Sequence, residues 1–160
     1  MSKTHSAPRT AFLCDPNLGR LARWLRMAGF DARYLRAWDE AAIGEALGEG
    51  RVFLTRKRST AGRPGVVFLE SDHLPGQAAA LDETLGLGEE IRPFTRCSVC
   101  NLPLNYAMRE DVEKLVPDYV FITHDEFARC PGCSRIYWRG THSASALALM
   151  NSYVRTGKRG

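Results

Sequence analysis

The chain has 160 residues, 44% hydrophobic and 25% charged, a composition ordinary for a globular protein and long enough to bury a core of its own. Its formal net charge of +4, from 22 Lys and Arg against 18 Asp and Glu, is too mild a bias to argue for nucleic-acid binding by itself. No apolar run approaches the roughly 18 residues of a membrane span, which argues against a membrane-spanning protein.

Met1 to Thr10 is polar, contains Pro8 and lacks the apolar centre of a secretory signal, so residues 1–10 are expected to be a disordered lead and the setting a reducing, cytoplasmic one. Ala11 to Cys14 is a short apolar run that ends at Asp15-Pro16, the pattern of a buried strand stopping at a helix start. Asp15 suits a cap and Pro16 the first helical position. From Asn17 to Ala28 the period is helical: Leu18, Leu21, Ala22, Leu25 and Ala28 share a face, and Gly29 stands where a left-handed C-cap belongs. Arg20, Arg23 and Arg26 recur on the opposite side, with Trp24 beside them and expected to be exposed. Phe30 to Leu35 predicts a second strand, and Asp39 with Glu40 opens a helix that Gly48 or Gly50 closes. Arg51 to Thr55 predicts a third strand, Arg56 to Ser59 a basic turn, and Val66 to Leu69 a fourth strand. A helix follows from about Gln77 to Leu85. Strands alternating with helices argue for a parallel sheet with helices on its faces. Further on, Asn105 to Val116 predicts a surface helix or loop. Tyr119 to Ile122 and Ile136 to Trp138 are expected to be strands, and Ser143 to Val154 a helix with a basic tail behind it.

Two cysteine pairs carry the strongest signal: Cys97-Ser-Val-Cys100 and Cys130-Pro-Gly-Cys133. Each C-x-x-C turn can aim two sulfurs at one cation, and four thiolates are the ligand set of a closed, structural zinc site. Two disulfides or a redox pair are the alternatives; a reducing compartment disfavours the first and the duplication argues against the second. Cys14, the fifth cysteine, ends an apolar strand and fits an inert buried thiol.

Ligands of an open parallel sheet bind at the carboxyl ends of its strands, and Asp15, Asp39, Lys57 and Asp72 all fall there. Hard ions such as Mg²⁺ or Mn²⁺ take oxygen ligands of this kind and can polarise a phosphodiester and activate a water. Helix capping would equally explain Asp15 or Asp39, and simple solvation would explain Asp72. Arg20, Arg23 and Arg26 on the first helix, and Arg56, Lys57 and Arg58 after the third strand, can neutralise phosphates. A solvated helix face is the alternative for the first group. Trp24, Tyr137 and Trp138 can stack on the bases of a single strand, or the Tyr-Trp pair can pack the cysteine module against the sheet. His124 and His142 are candidates for phosphate contact.

The stretch from Phe12 to Asp31 resembles the opening of the Mut-seven C-terminal RNase domain family. The likeness recurs at Arg51-Val-Phe-Leu-Thr-Arg56, Arg96-Cys-Ser-Val-Cys-Asn-Leu-Pro-Leu104, Asp125-Glu-Phe-Ala-Arg-Cys-Pro-Gly-Cys133 and Ile136-Tyr-Trp-Arg-Gly-Thr-His142. The resemblance implies an α/β fold similar to that of PIN nucleases over residues 11–92, a zinc ribbon over 93–142, and metal-dependent, endoribonuclease-type hydrolysis of RNA. It carries a metal role onto Asp15 and onto Asp39, with Asp72 or Glu70 as a compensating oxygen. The family pattern places an aspartate after Leu-Thr-Arg, where this chain has Lys57. An ammonium there offsets the remaining carboxylates and weakens divalent-ion binding. Three functions therefore stand: a ribonuclease using Asp15, Asp39 and Asp72, with structural Zn²⁺ and catalytic Mg²⁺ or Mn²⁺; an RNA-binding or ribosome-associated protein that does not cut; or a protein-interaction adapter built on the ribbon.

Overall fold

The computed structural model describes residues 10–139 and 151–152. Among them, β1 (Ala11–Cys14), β2 (Asp31–Tyr34), β3 (Val52–Thr55) and β4 (Val66–Phe68) form one wholly parallel sheet in the order β2-β1-β3-β4. Helices α1 (Gly19–Met27), α2 (Glu40–Gly48) and α3 (Leu74–Leu85) connect or follow the strands. The α/β architecture expected from the alternating pattern is the one observed.

Strand alternation divides the core. Phe12 and Cys14 of β1 and Leu54 of β3 point to one face, where α1 and α3 bury Leu21, Leu25, Ala78 and Leu81 against them. Leu13 and Phe53 point to the other face, against Ile43 and Ala46 of α2. Phe12 meets Phe30, and Phe53 meets Trp38, in edge-to-face contacts with centroids 5.7 and 5.6 Å apart. Burial pushes the Cys14 thiol up to about 12, so it is a protonated core side chain, as its strand position suggests.

The second half is a three-stranded antiparallel sheet, β5 (Asn105–Ala107), β6 (Phe127–Arg129) and β7 (Ile136–Trp138), with two short helices, α4 (Arg109–Val112) and α5 (Asp118–Thr123), inserted between β5 and β6. Its own small core gathers Ala107, Val112, Val116, Val120 and Phe127. Among the described residues, no helix is long and apolar enough to cross a membrane.

Several expectations need correction. Residues 119–122 form part of α5, not a strand: Pro117 and Asp118 start a helix turn, and Val120 is buried while Tyr119 and Ile122 are exposed. Trp24 is only 5% exposed, because it lies three residues from Leu21 and four from Ala28 and so shares their buried face. Asp15 and Pro16 do not open α1, which begins at Gly19 after Leu18 with no side-chain cap. Helix α3 starts at Leu74 with Pro75 in its first turn. Asp39 does cap α2, accepting from the Ala42 amide at 3.1 Å. The lead at residues 1–9, His142 and most of the expected C-terminal helix lie outside the described residues; Asn151 and Ser152 are helical.

A latch joins the two halves. The edge strand β2 would leave the Ala32 amide unpaired, and the Asn101 side chain accepts from it at 3.0 Å. The other end of that amide donates to Asp31 at 2.8 Å, and Arg51 grips the same carboxylate with two N–H groups at 2.9 and 2.8 Å. Arg26 adds a brace: it donates to the Ala32 carbonyl at 2.7 Å and to the carbonyls of Ser98 and Val99 at 3.3 and 3.2 Å. Burial works against ionising Asp31, but hydrogen bonds from Arg51 and Asn101 outweigh it and hold the carboxyl below its ordinary value. Where α1 ends, Gly29 takes φ +97°, and the Arg92 amide, on the segment leading to the cysteines, donates to Ala28 at 2.8 Å.

Two outcomes follow for stability. A Cβ on Gly29 would come within 2.2 Å of the Arg92 carbonyl oxygen, whereas one on Gly50 (φ +86°) meets nothing within 4 Å. Gly29→Ala should therefore cost more than about 2 kcal/mol, and Gly50→Ala only the ~1–2 kcal/mol of a left-handed backbone, in denaturant melts of the full chain. Equal losses would show that the close approach is not felt. Asp31→Asn should cost about 1–2 kcal/mol near pH 7. Because the folded carboxyl titrates below its unfolded value, that contribution is complete above pH ~4 and disappears as pH falls through the lower folded value. Melts of wild type and variant should thus converge once the pH falls below that lowered folded value.

Candidate functional site

The cysteine pairs build two knuckles of the same backbone form. The Asn101 amide donates to the Cys97 carbonyl and the Ser134 amide to the Cys130 carbonyl, both at 3.0 Å. Asn101 and Ser134, each just past the second cysteine, take left-handed φ of 62° and 63°. In the second knuckle, Gly132 sits 2.8 Å, measured from an ideal Cβ, from the Leu102 side chain of the first.

All four sulfurs lie within 4.8 Å of one another, with Cys97 and Cys133 Sγ 3.7 Å apart. A tetrahedral zinc with Zn–S of about 2.3 Å requires S···S edges of about 3.8 Å. All five cysteines are free, so the disulfide alternative is not what the fold contains. Amides of Cys100, Gly132 and Cys133 donate to the sulfurs of Cys97 and Cys130 at 3.3 to 3.5 Å, and the Tyr137 hydroxyl donates to Cys97 at 3.1 Å. Burial opposes ionisation of Cys97, yet Tyr137 and the amides of Cys100 and Val99 bring it down to about 6. Cys100 is pushed up to about 12, first by its hydrogen bond to Cys133 and then by burial and Cys130. Four sulfurs this close cannot all ionise unless a cation neutralises them. Cys97, Cys100, Cys130 and Cys133 thus form a donor set that fits a metal such as zinc and leaves no open position.

The second centre is the carboxyl edge of the parallel sheet. Strand order reverses direction between β1 and β3, which makes their ends the switch point where such sheets bind ligands. Asp15 lies there with no exposed surface. Its Oδ2 accepts from the Thr55 hydroxyl at 2.7 Å and the Arg56 amide at 2.8 Å, and its Oδ1 from the Asn17 amide at 2.7 Å. Asp15 therefore ties β1 to the end of β3 and shapes the turn before α1. Thr55, to which the sequence alone assigned nothing, is the residue that holds it; a hydroxyl between an apolar strand and a basic turn was the available signal.

The other candidates stand at the same edge but apart. Asp39 is exposed and caps α2, and Asp72 pairs with His73 at 3.2 Å, both side chains exposed. Among the described residues, the four cysteines are the only Cys, His, Asp and Glu group of three or more close enough to hold a metal. The Lys57 ammonium lies over the Trp38 ring, 4.3 Å from its centre, and no ion pair joins it to Asp15 or Asp39. Arg56 turns inward to the carbonyls of Leu69 and Glu70. Arg58 pairs with Glu70 at 3.3 Å in the open. Arg20 and Arg23 are exposed, whereas Arg26 is half-buried in its brace to the first knuckle. Asn101 and Arg51 organise the latch without having been assigned a role from the sequence, and Tyr137, expected to stack or pack, also donates its hydroxyl to Cys97.

A family model described as "Mut7-C RNAse domain" matches residues 10–150. No curated protein and no solved structure matches the chain.

The fit of the sulfur cage leads to a direct measurement. The chain should carry one metal ion, zinc by elemental analysis, and Cys97→Ser should release it. Chelation should unfold the cysteine module before the sheet, since the parallel sheet keeps its own two apolar clusters. A fully folded module without metal would contradict this assignment.

Proposed function

The chain belongs to the Mut7-C RNAse domain family, and from that premise we propose that it is a metal-dependent ribonuclease with a weakened acidic site, its fold completed by a structural zinc on the four cysteines. The observation that carries this reading is the Asp15 carboxylate, fixed at the sheet's switch point by Asn17, Thr55 and Arg56. A carboxylate has about four acceptor positions, of which three are taken here, so one remains on Oδ1 for a hard cation. Mg²⁺ and Mn²⁺ sites use one or two carboxylates and complete their shells with water and substrate phosphate, which suits one anchored acid better than a full cage would. Asp39 and Asp72, exposed at the same edge, are the oxygens that can approach from solvent.

When bound, such an ion lowers the pKa of a water and stabilises the leaving oxygen of a phosphodiester. The protein's own part is to hold Asp15 in one orientation and to bring RNA to that edge. Arg20, Arg23 and Arg58 offer guanidinium groups to phosphates, while Arg26 and Arg56 hold the framework beneath them. Because Asp15 is covered, the turn at Arg56 and Lys57 has to shift for an ion to reach it.

A second reading, RNA binding without cleavage, is favoured by two specific features. Asp15 has no exposed surface, and Lys57 occupies the position where the family pattern has an aspartate. The two readings separate in one assay. With Mn²⁺ and single-stranded RNA, the wild type should cleave slowly and Asp15→Asn not at all. Lys57→Asp should raise the rate by about tenfold or more, equivalent to ~1.4 kcal/mol of barrier. If neither wild type nor Lys57→Asp cleaves while both bind RNA with steep salt dependence, the second reading holds.

A further inference from the structure

The cysteine module carries an open groove of about 280 Å³, walled by Phe94, Tyr106, Tyr137, Trp138 and Arg139, with Glu126 at its rim. It shares no residue with the Asp15 edge and none with the sulfur cage. Its aromatic residues come from separate stretches: Phe94 precedes the first knuckle, Tyr106 is on β5, and Tyr137 and Trp138 are on β7. Tyr106 is 76% exposed, a large ring left in water by a strand whose backbone is paired to β6. The Tyr137 ring is fixed at its far end, where its hydroxyl donates to Cys97 Sγ at 3.1 Å and accepts from the Ser98 amide at 3.3 Å. The Arg139 guanidinium lies 5.8 Å from the centre of the Phe94 ring. Tyr106 also lines a second groove, of about 340 Å³, together with Arg129, Cys130 and Ser134.

We propose that the groove at Tyr106 takes one unstacked base of a single-stranded RNA. This rests on the reading of RNA as the substrate and adds where, and by what contact, the strand is gripped. Flat rings held on a rigid sheet suit base stacking, which tolerates any sequence because every base has a π face. The volume, just under the roughly 300 Å³ at which ligand sites begin, suits a single base rather than a longer segment. Glu126 is an acceptor for base N–H groups and repels phosphate, so the base enters and the phosphates stay outside. Arg139 in this groove and Arg129 in the second supply cations for them. Tyr106, a wall of both grooves, is the platform between neighbouring nucleotides.

The test uses the full, zinc-loaded chain carrying Asp15→Asn, so that no strand is cut, and a single-stranded oligoribonucleotide containing 2-aminopurine. Stacking should quench the probe on binding. Tyr106→Ala should weaken binding about 5- to 150-fold and remove the quench, and Tyr106→Phe should keep both. An abasic ribose-phosphate oligomer of the same length should bind the parent and Tyr106→Ala alike. Unchanged affinity in Tyr106→Ala, or equal weakening toward the abasic oligomer, overturns the proposal. The cleavage reading stands or falls elsewhere: Mn²⁺-dependent cleavage with normal binding by Tyr106→Ala sinks the groove alone, and quenching by a chain that never cleaves sinks hydrolysis alone. Failure to bind any RNA, intact or abasic, removes the groove together with the substrate.

Discussion

The meeting of four sulfur atoms ties the two knuckles, and with them residues 97–139, into one module. Cys97 is the member with most attached to it. Its knuckle presents the Ser98 and Val99 carbonyls to Arg26 and the Asn101 amide to the edge of β2, and its sulfur receives the Tyr137 hydroxyl. The two short knuckles bury little apolar surface of their own, so a metal on the four sulfurs would fix these positions by neutralising their charge. The consequence reaches the parallel sheet, because β2 is an edge strand and Asn101 completes it. A ladder of backbone bonds would have merged the two sheets, whereas the Asn101 amide, with the Arg26 brace beside it, joins the first knuckle to β2 at a single register. The Asp31 and Arg51 pair beneath fixes that register by holding the far end of the amide.

Asp15 shows how function and stability pull on one side chain. Removing a carboxylate from water is costly unless donors replace the water, and here a hydroxyl and two amides do so. Those same bonds set where the acid points. A metal ligand needs a fixed direction, and the bonds supply it. A metal ligand also needs an approach path, and full burial closes it. The arrangement is that of a strut between β1 and β3; on the proposed reading, the neighbouring turn would have to yield before the strut could serve as a ligand.

Much of this was legible in the chain. Short apolar runs placed β1, β3 and β4, and the Asp39-Glu40 pair placed the start of α2, because strand burial and helix capping are local effects. The repeated C-x-x-C spacing brought the four sulfurs together on paper for the same reason. What failed were features decided at a distance. Residues 119–122 carry β-branched and aromatic side chains with high strand propensity, yet Pro117 and Asp118 begin a turn and the small core claims Val120, so α5 forms. Arg26 has the same spacing as Arg20 and Arg23, and nothing local says that the Ser98 and Val99 carbonyls wait beside it. Tyr106 lies in a stretch of mixed polarity that gives no sign of a groove, since its walls come from segments before and after it.

Lys57 belongs to the same balance as Asp15. At a switch point whose acid is already dry, a second carboxylate raises the cost of both unless a cation sits between them. An aspartate there would make the edge depend on its metal for stability as well as for chemistry. A lysine removes that dependence: its ammonium rests on Trp38, a ring anchored edge-on to Phe53 in the core, and makes no demand on Asp15. The edge can then fold without an ion, and on the proposed reading would hold one less tightly. On the proposed reading, the side chain that spares the fold a second buried carboxylate is also the one that would weaken an ion's hold at Asp15, and repulsion between neighbouring carboxylates accounts for both.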